Sequence, residues 1–167
     1  MVRSDVISEE GKWMNLQDAS RDVGALHDAL IGSWELQRFW YAWPDGREWE
    51  PLGRCAGQLH YLPNGFMSVQ LAAREREPLG VAPTDDQLMA AFRQGFAYCG
   101  RWCWDERRQE VRHQVDVASI ADWSGVTLAR RVQLTGESLL LGTDAPNLQL
   151  PAGGYTTWLA WQRLHDR

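Results

Sequence analysis

The chain is poor in the residues that would place it with nucleic acid, metal or membrane. It has one lysine, Lys12, beside sixteen arginines, and a formal charge of -5 over 167 residues. No basic run is present to neutralise a phosphate backbone, which argues against nucleic acid as a partner. The arginine bias reads as genomic base composition rather than chemistry. Cysteine is scarce: Cys55, Cys99 and Cys103 are odd in number and lack metal-type spacing. If Cys99 and Cys103 share a strand, their Cα atoms lie roughly 13 Å apart, too far for a disulfide. A reducing, cytoplasmic setting is the expectation. No apolar run reaches the length of a membrane span, and residues 1–5 do not resemble the start of a signal peptide. His27, His60, His113 and His165 show no ligand spacing, so no metal is expected. A single inward histidine could hold haem, but nothing else in the sequence supports it, and no cofactor is expected. There is no G-x-S-x-G and no phosphate-cradling glycine loop.

What the chain has instead is tryptophan, ten in all. An indole is costly to bury without a partner for its N–H. So many of them imply aromatic packing around a closed sheet or an aromatic-walled cavity. The length suits one domain able to bury its own core.

Residues 1–21 are polar and mixed, with Trp13-Met14 the one sizeable apolar pair, and read as a tail before a domain over 22–167. Ala25, Leu26, Ala29 and Leu30 recur at helical spacing. Gly32-Ser33-Trp34 then opens a strand over 33–43, whose alternation breaks near Gln37-Arg38-Phe39 as a bulge would break it. Residues 47–56 read as a loop. The strongest local signal is Gly57-Gln58-Leu59-His60-Tyr61-Leu62, Pro63-Asn64-Gly65, Phe66-Met67-Ser68-Val69-Gln70-Leu71, two antiparallel strands about an Asn-Gly turn. Thr84-Asp85-Asp86-Gln87 matches a capping box. Leu88, Phe92 and Phe96 fall at i, i+4 and i+8, predicting a helix over about 84–97 whose apolar stripe lies across a barrel end, with a lid as its functional form. Further strands follow over 101–105, 111–118, 126–134, 138–143 and 155–164, with a loop over 146–154. About eight strands on short connections suit an all-β, eight-stranded antiparallel up-and-down barrel, although a two-sheet sandwich fits the same count.

Leu30-Ile31-Gly32-Ser33-Trp34, the 57–71 hairpin, Ala90-Ala91-Phe92 through Ala97-Tyr98-Cys99-Gly100, Val111-Arg112-His113, Arg130-Arg131 and Trp158-Leu159-Ala160-Trp161-Gln162-Arg163 together resemble the bacterial and fungal lipocalin-like domain family. The likeness covers about 27–164. It implies a small barrel with an internal cavity and no single activity, since related barrels include ligand binders and cyclases of natural-product pathways. It also implies that Arg163 stacks on Trp34, a structural role.

In such a barrel the informative residues are polar ones facing inward. His113 shares its face with Val111, Val115 and Val117, and Arg130 lies between Leu128 and Val132. Tyr61 shares a face with Leu59, while Ser68 and Gln70 share one with Phe66. His113, Arg130 and Tyr61 are therefore the candidate catalytic groups. The blander readings are a hydrogen-bonded core histidine and an arginine that pairs with a buried acid or points outward. The expected ligand wall is Trp40, Phe66, Ser68, Gln70, Phe92, Phe96, Trp102, Trp104, Val115, Leu128 and Trp161. The expected partner is a small hydrophobic molecule. One function is a cofactor-independent cyclase or isomerase that folds a polyketide-like or terpenoid substrate. A second is a non-catalytic carrier. A third is a filled barrel whose surface aromatics serve assembly, a homodimer included.

Overall fold

The computed structural model of the protein describes residues 5–7, 13–15, 23–143 and 154–165. Near the start, β1 (Asp5–Ile7) pairs antiparallel with β2 (Trp13–Asn15); the rest of the expected tail lies outside the described residues. Helix α1 (Val23–Leu30) leads into β3 (Gly32–Ala42), and the two-residue β4 (Glu48–Trp49) folds back on the far end of β3. The hairpin β5 (Cys55–Tyr61) and β6 (Phe66–Ala73) follows, then helix α2 (Asp85–Phe92). The sheet continues through β7 (Gly95–Asp105), β8 (Glu110–Ala118), β9 (Thr127–Thr135), β10 (Ser138–Gly142) and β11 (Thr156–Leu164). A single 3-10 turn, Ala121–Trp123, joins β8 to β9.

Every neighbouring pair from β3 to β11 is antiparallel in chain order, and β11 returns to pair with β3. Setting aside β4, eight strands close into an up-and-down barrel, the architecture expected above. Closure gives each of the eight strands a neighbour on both sides and leaves the two-residue β4 as a short edge. Two bulges help the sheet to curl. Leu36 pairs with Trp161 and Arg38 with Ala160, which leaves Gln37 as the extra residue. Cys99 pairs with Val117 and Gly100 with Val115, which leaves Asp116 extra. The second bulge turns Val117 outward, off the face that Val111, His113 and Val115 share. Gly100 is obligatory here: a Cβ on it would collide with the carbonyl oxygen of Gln114 and the amide nitrogen of Asp116.

The two ends of the barrel differ. At one end Trp34, Leu36, Tyr61, Met67, Trp102, Val111 and Leu139 are buried in one cluster with Leu30 of α1. Trp34 donates its Nε1–H to the Leu30 carbonyl at 3.0 Å. The Arg163 guanidinium lies 4.1 Å from the centre of the Trp34 ring and donates to the carbonyls of Ile31 (2.9 Å) and Ala29. Gly32, with φ of 140°, makes room for it: a Cβ there would sit 2.8 Å from Arg163 Nη1. The other end stays open.

Helix α2 belongs to the β6–β7 connection at that open end. Thr84 and Gln87 form the capping box reciprocally. The helix stops at Phe92, shorter than the periodicity predicts, because Gly95 already begins β7. The stripe is thereby split: Phe96 enters the sheet, while Leu88 and Phe92 remain on a helix with no buried residue.

Candidate functional site

The open end holds a cavity of about 260 Å³. Its apolar walls are Phe39, Leu59, Val69, Leu71, Phe96, Trp123, Leu128, Leu141, Leu159 and Trp161. The polar lining is Tyr98, His113, Arg130, Thr143 and Thr157, with Tyr41 and Tyr155 stacked at a ring separation of 4.0 Å. Alternation on each strand delivers these side chains to the lumen. On β7, for example, Phe96, Tyr98 and Trp102 face in while Cys99, Arg101 and Cys103 face out.

His113 sits at the polar centre, 1% exposed. Tyr61 Oη lies 2.6 Å from its Nε2 and Tyr98 Oη lies 2.9 Å from its Nδ1. β8 pairs with β9 so that Val111 opposes Arg130 and His113 opposes Leu128, which brings His113 and Arg130 to the same cavity as diagonal neighbours. Burial, reinforced by the Arg130 charge, pushes the His113 pKa down to about 3. The imidazole is therefore neutral throughout the physiological range. Burial also raises both phenols, Tyr61 well above its ordinary value, with the Arg130 charge acting in the opposite direction on each. Arg130 itself donates to the Ala129 carbonyl at 2.9 Å. Among the described residues it has no carboxylate partner, so its guanidinium is available to an oxygen in the cavity. Trp161, 2% exposed, also lines the cavity, and its Nε1–H has no acceptor among the described residues.

Of the residues singled out in the sequence, His113, Arg130, Phe96, Leu128 and Trp161 line this cavity. Tyr61 lies behind it, reaching it through His113. Trp102 and Val115 face inward but belong to the packed core, where Trp102 donates to the Leu62 carbonyl at 3.0 Å. Trp104 packs against that core from the same face. Five assignments are corrected. Trp40 is on the outer face, stacked on Trp158 and covered by Arg38, because the Gln37 bulge puts Phe39 and Tyr41 inside instead. Phe66, 42% exposed, faces out beneath Arg101, and Ser68 and Gln70 share its outward face, since Met67, Val69 and Leu71 fill the inward one. Phe92, 59% exposed on α2, borders an outer groove and not the lumen.

Tyr98 is the main residue that sequence reasoning missed. Its position two residues after Phe96 and four before Trp102 on one strand was the available signal. Tyr41, Trp123 and Tyr155 were missed because they come to the mouth from separate segments. Among the described residues no cluster of histidine, cysteine and carboxylate groups is arranged to hold a metal.

Comparison with known proteins agrees with the fold. A family model described as a lipocalin-like domain matches residues 31–164. A curated relative, the 4'-hydroxy-3'-methoxypropiophenone carrier protein of Aspergillus oryzae, is 31% identical over 87 residues, which cover 48% of this chain and 78% of that protein.

Proposed function

Since the chain belongs to the lipocalin-like domain family, we propose that it binds and carries a compact aryl ketone or related phenolic molecule in the mouth of its barrel. The observation that carries this reading is the cavity of about 260 Å³ at the open end, walled by aromatic and aliphatic groups and bearing an arginine with no carboxylate partner among the described residues. Its volume lies just below the ~300–1,000 Å³ usual for small-molecule sites, which favours a single ring with a short substituent. The apolar wall supplies affinity through burial, and Arg130 orients the ligand by one oxygen. The carrier named above supports the ligand class: its cargo is a ring bearing a three-carbon ketone and two oxygen substituents.

A cofactor-independent cyclisation or isomerisation within a natural-product pathway is the second reading. The guanidinium in the lumen favours it, because such a group would stabilise charge developing on an enolate oxygen. His113 is ill-suited as a general base, since with a pKa of about 3 it holds a proton weakly. Any catalysis would rest on Arg130 and on confinement of the substrate.

Titration with propiophenone and 4'-hydroxy-3'-methoxypropiophenone, read by tryptophan fluorescence, tests the binding reading. Saturable quenching is expected in the native protein and not in Leu128→Trp, which fills the cavity. Absence of quenching by either ketone, or undiminished quenching in the variant, removes the reading. Chromatographic conversion of a polyketide-like probe that survives His113→Ala and is lost in Arg130→Ala would move the assignment from carrier to enzyme.

A further inference from the structure

The hydrogens of the Tyr61–His113–Tyr98 chain do not balance. A neutral imidazole has one N–H and one lone-pair nitrogen, yet a phenol stands at each nitrogen. One phenol must donate to the ring and the other must accept from it. The accepting phenol keeps a hydroxyl hydrogen with no use inside the chain.

The two phenols are not equivalent. Tyr61 is fully buried, lines no part of the cavity, and has no hydrogen-bond partner among the described residues other than His113. A spare hydrogen on Tyr61 would be stranded in the packed end of the barrel, against the Trp102 ring. Tyr98 lines the cavity, where a ligand can accept its hydrogen. Satisfying every buried polar group therefore puts the imidazole proton on Nδ1. Tyr61 donates to Nε2, Nδ1–H donates to Tyr98, and Tyr98 points its O–H into the lumen.

We propose that this chain makes Tyr98 a dedicated hydrogen-bond donor, so that the cavity selects ligands whose oxygen is an acceptor only, a ketone over the corresponding alcohol. The selection rests on the ligand-binding reading above and adds to it the feature that is recognised. Tyr98 touches the ligand oxygen; His113 and Tyr61 are positioning residues. The Arg130 guanidinium is a second donor at the same cavity, while the hydroxyls of Thr143, Thr157 and Tyr155 belong to its wall as well. A carbonyl oxygen satisfies both donors without bringing a hydrogen of its own to bury.

Two measurements test the proposal. In the native protein, long-range proton–nitrogen NMR, with His113 assigned by its disappearance in His113→Gln, is expected to show Nδ1 protonated and Nε2 bare. The reverse tautomer overturns the proposal with no ligand involved. In the second, propiophenone and 1-phenylpropan-1-ol are titrated against the native protein, Tyr98→Phe and Tyr61→Phe. The native protein is expected to prefer the ketone by about tenfold, the effect of one well-made hydrogen bond. Tyr98→Phe abolishes the preference. Tyr61→Phe frees the imidazole to change tautomer and accept from Tyr98, so the preference disappears or reverses although Tyr61 never meets the ligand. Preference retained in either variant overturns the proposal. If neither compound binds the native protein, the ligand-binding reading fails, and the hydroxyl's direction is decided by the tautomer alone.

Discussion

A histidine held neutral between two phenols leaves a mark on stability as well as on recognition. His113 titrates near 6.5 when unfolded and at about 3 when folded. The unfolded chain therefore binds the proton first, and stability present above pH 6.5 is lost as the pH falls toward 3. At pH 4.5 the loss from this one residue comes to about 2–3 kcal/mol, at 1.36 kcal/mol per unit. Denaturant unfolding of the native protein and of His113→Gln at pH 7.5 and 4.5 checks it. The variant, whose side chain still bonds at both ends but cannot titrate, is expected to lose that much less on acidification. Parallel losses would mean that His113 is not kept neutral by the fold. The sequence showed this residue as polar among valines on one strand, which was enough to place it inside. Its partners were harder to see, because Tyr61 and Tyr98 reach it from strands 52 and 15 positions away in the chain.

Elements were legible where their signals were local. The capping box at Thr84 and the alternation break at Gln37 both correspond to features of the structure. The β5–β6 hairpin shows how a correct element can still be read with the wrong face. A two-residue Asn-Gly turn would set Tyr61 opposite Ser68 and Leu59 opposite Gln70, turning the polar side chains inward. The actual loop is one residue longer: Gly65 N–H donates to Leu62 O at 3.0 Å, Gly65 has φ of 81°, and Leu62 N–H donates to Phe66 O at 2.9 Å. Tyr61 therefore opposes Met67 and Leu59 opposes Val69. One residue of slip flips every side chain on the strand, and no composition rule fixes that count. Helix α2 was misjudged for a related reason, since periodicity does not reveal where a neighbouring strand takes over. Because none of its residues is buried or lines the cavity, α2 is not required for occupancy. Thr84→Ala is expected to lower local protection of the 85–92 amides by about 1 kcal/mol in hydrogen exchange, with ketone affinity and melting temperature unchanged. A drop in affinity would restore the helix as a lid.

For the molecule as a whole, closure depends on the contact between its first and last barrel strands. Arg163, from β11, clamps the Trp34 ring of β3 and caps two carbonyls at the end of α1. Its Nε also lies 3.5 Å from Glu137, just ahead of β10. Removing it forfeits a stacked cation and charged hydrogen bonds, about 2–4 kcal/mol together. For a chain of this size Arg163→Ala should melt roughly 5–15 °C lower. Arg163→Lys should recover only part of the difference, because an ammonium lacks the planar fork. An unchanged melting temperature would show that the barrel closes without this clamp. The likeness to lipocalin-like domains anticipated this contact because it is carried by residues at the two ends of the matched region. The cavity was less legible, its lining being gathered from eight strands and the turns between them.

Stiff base and hollow rim are made by different residues of the same strands, so evolution could refit one without disturbing the other. Exchanging side chains around the rim would give a vessel for new cargo on an unaltered foundation. The diversity of such proteins would then lie in a thin upper tier of positions, while the girdle beneath stays constant.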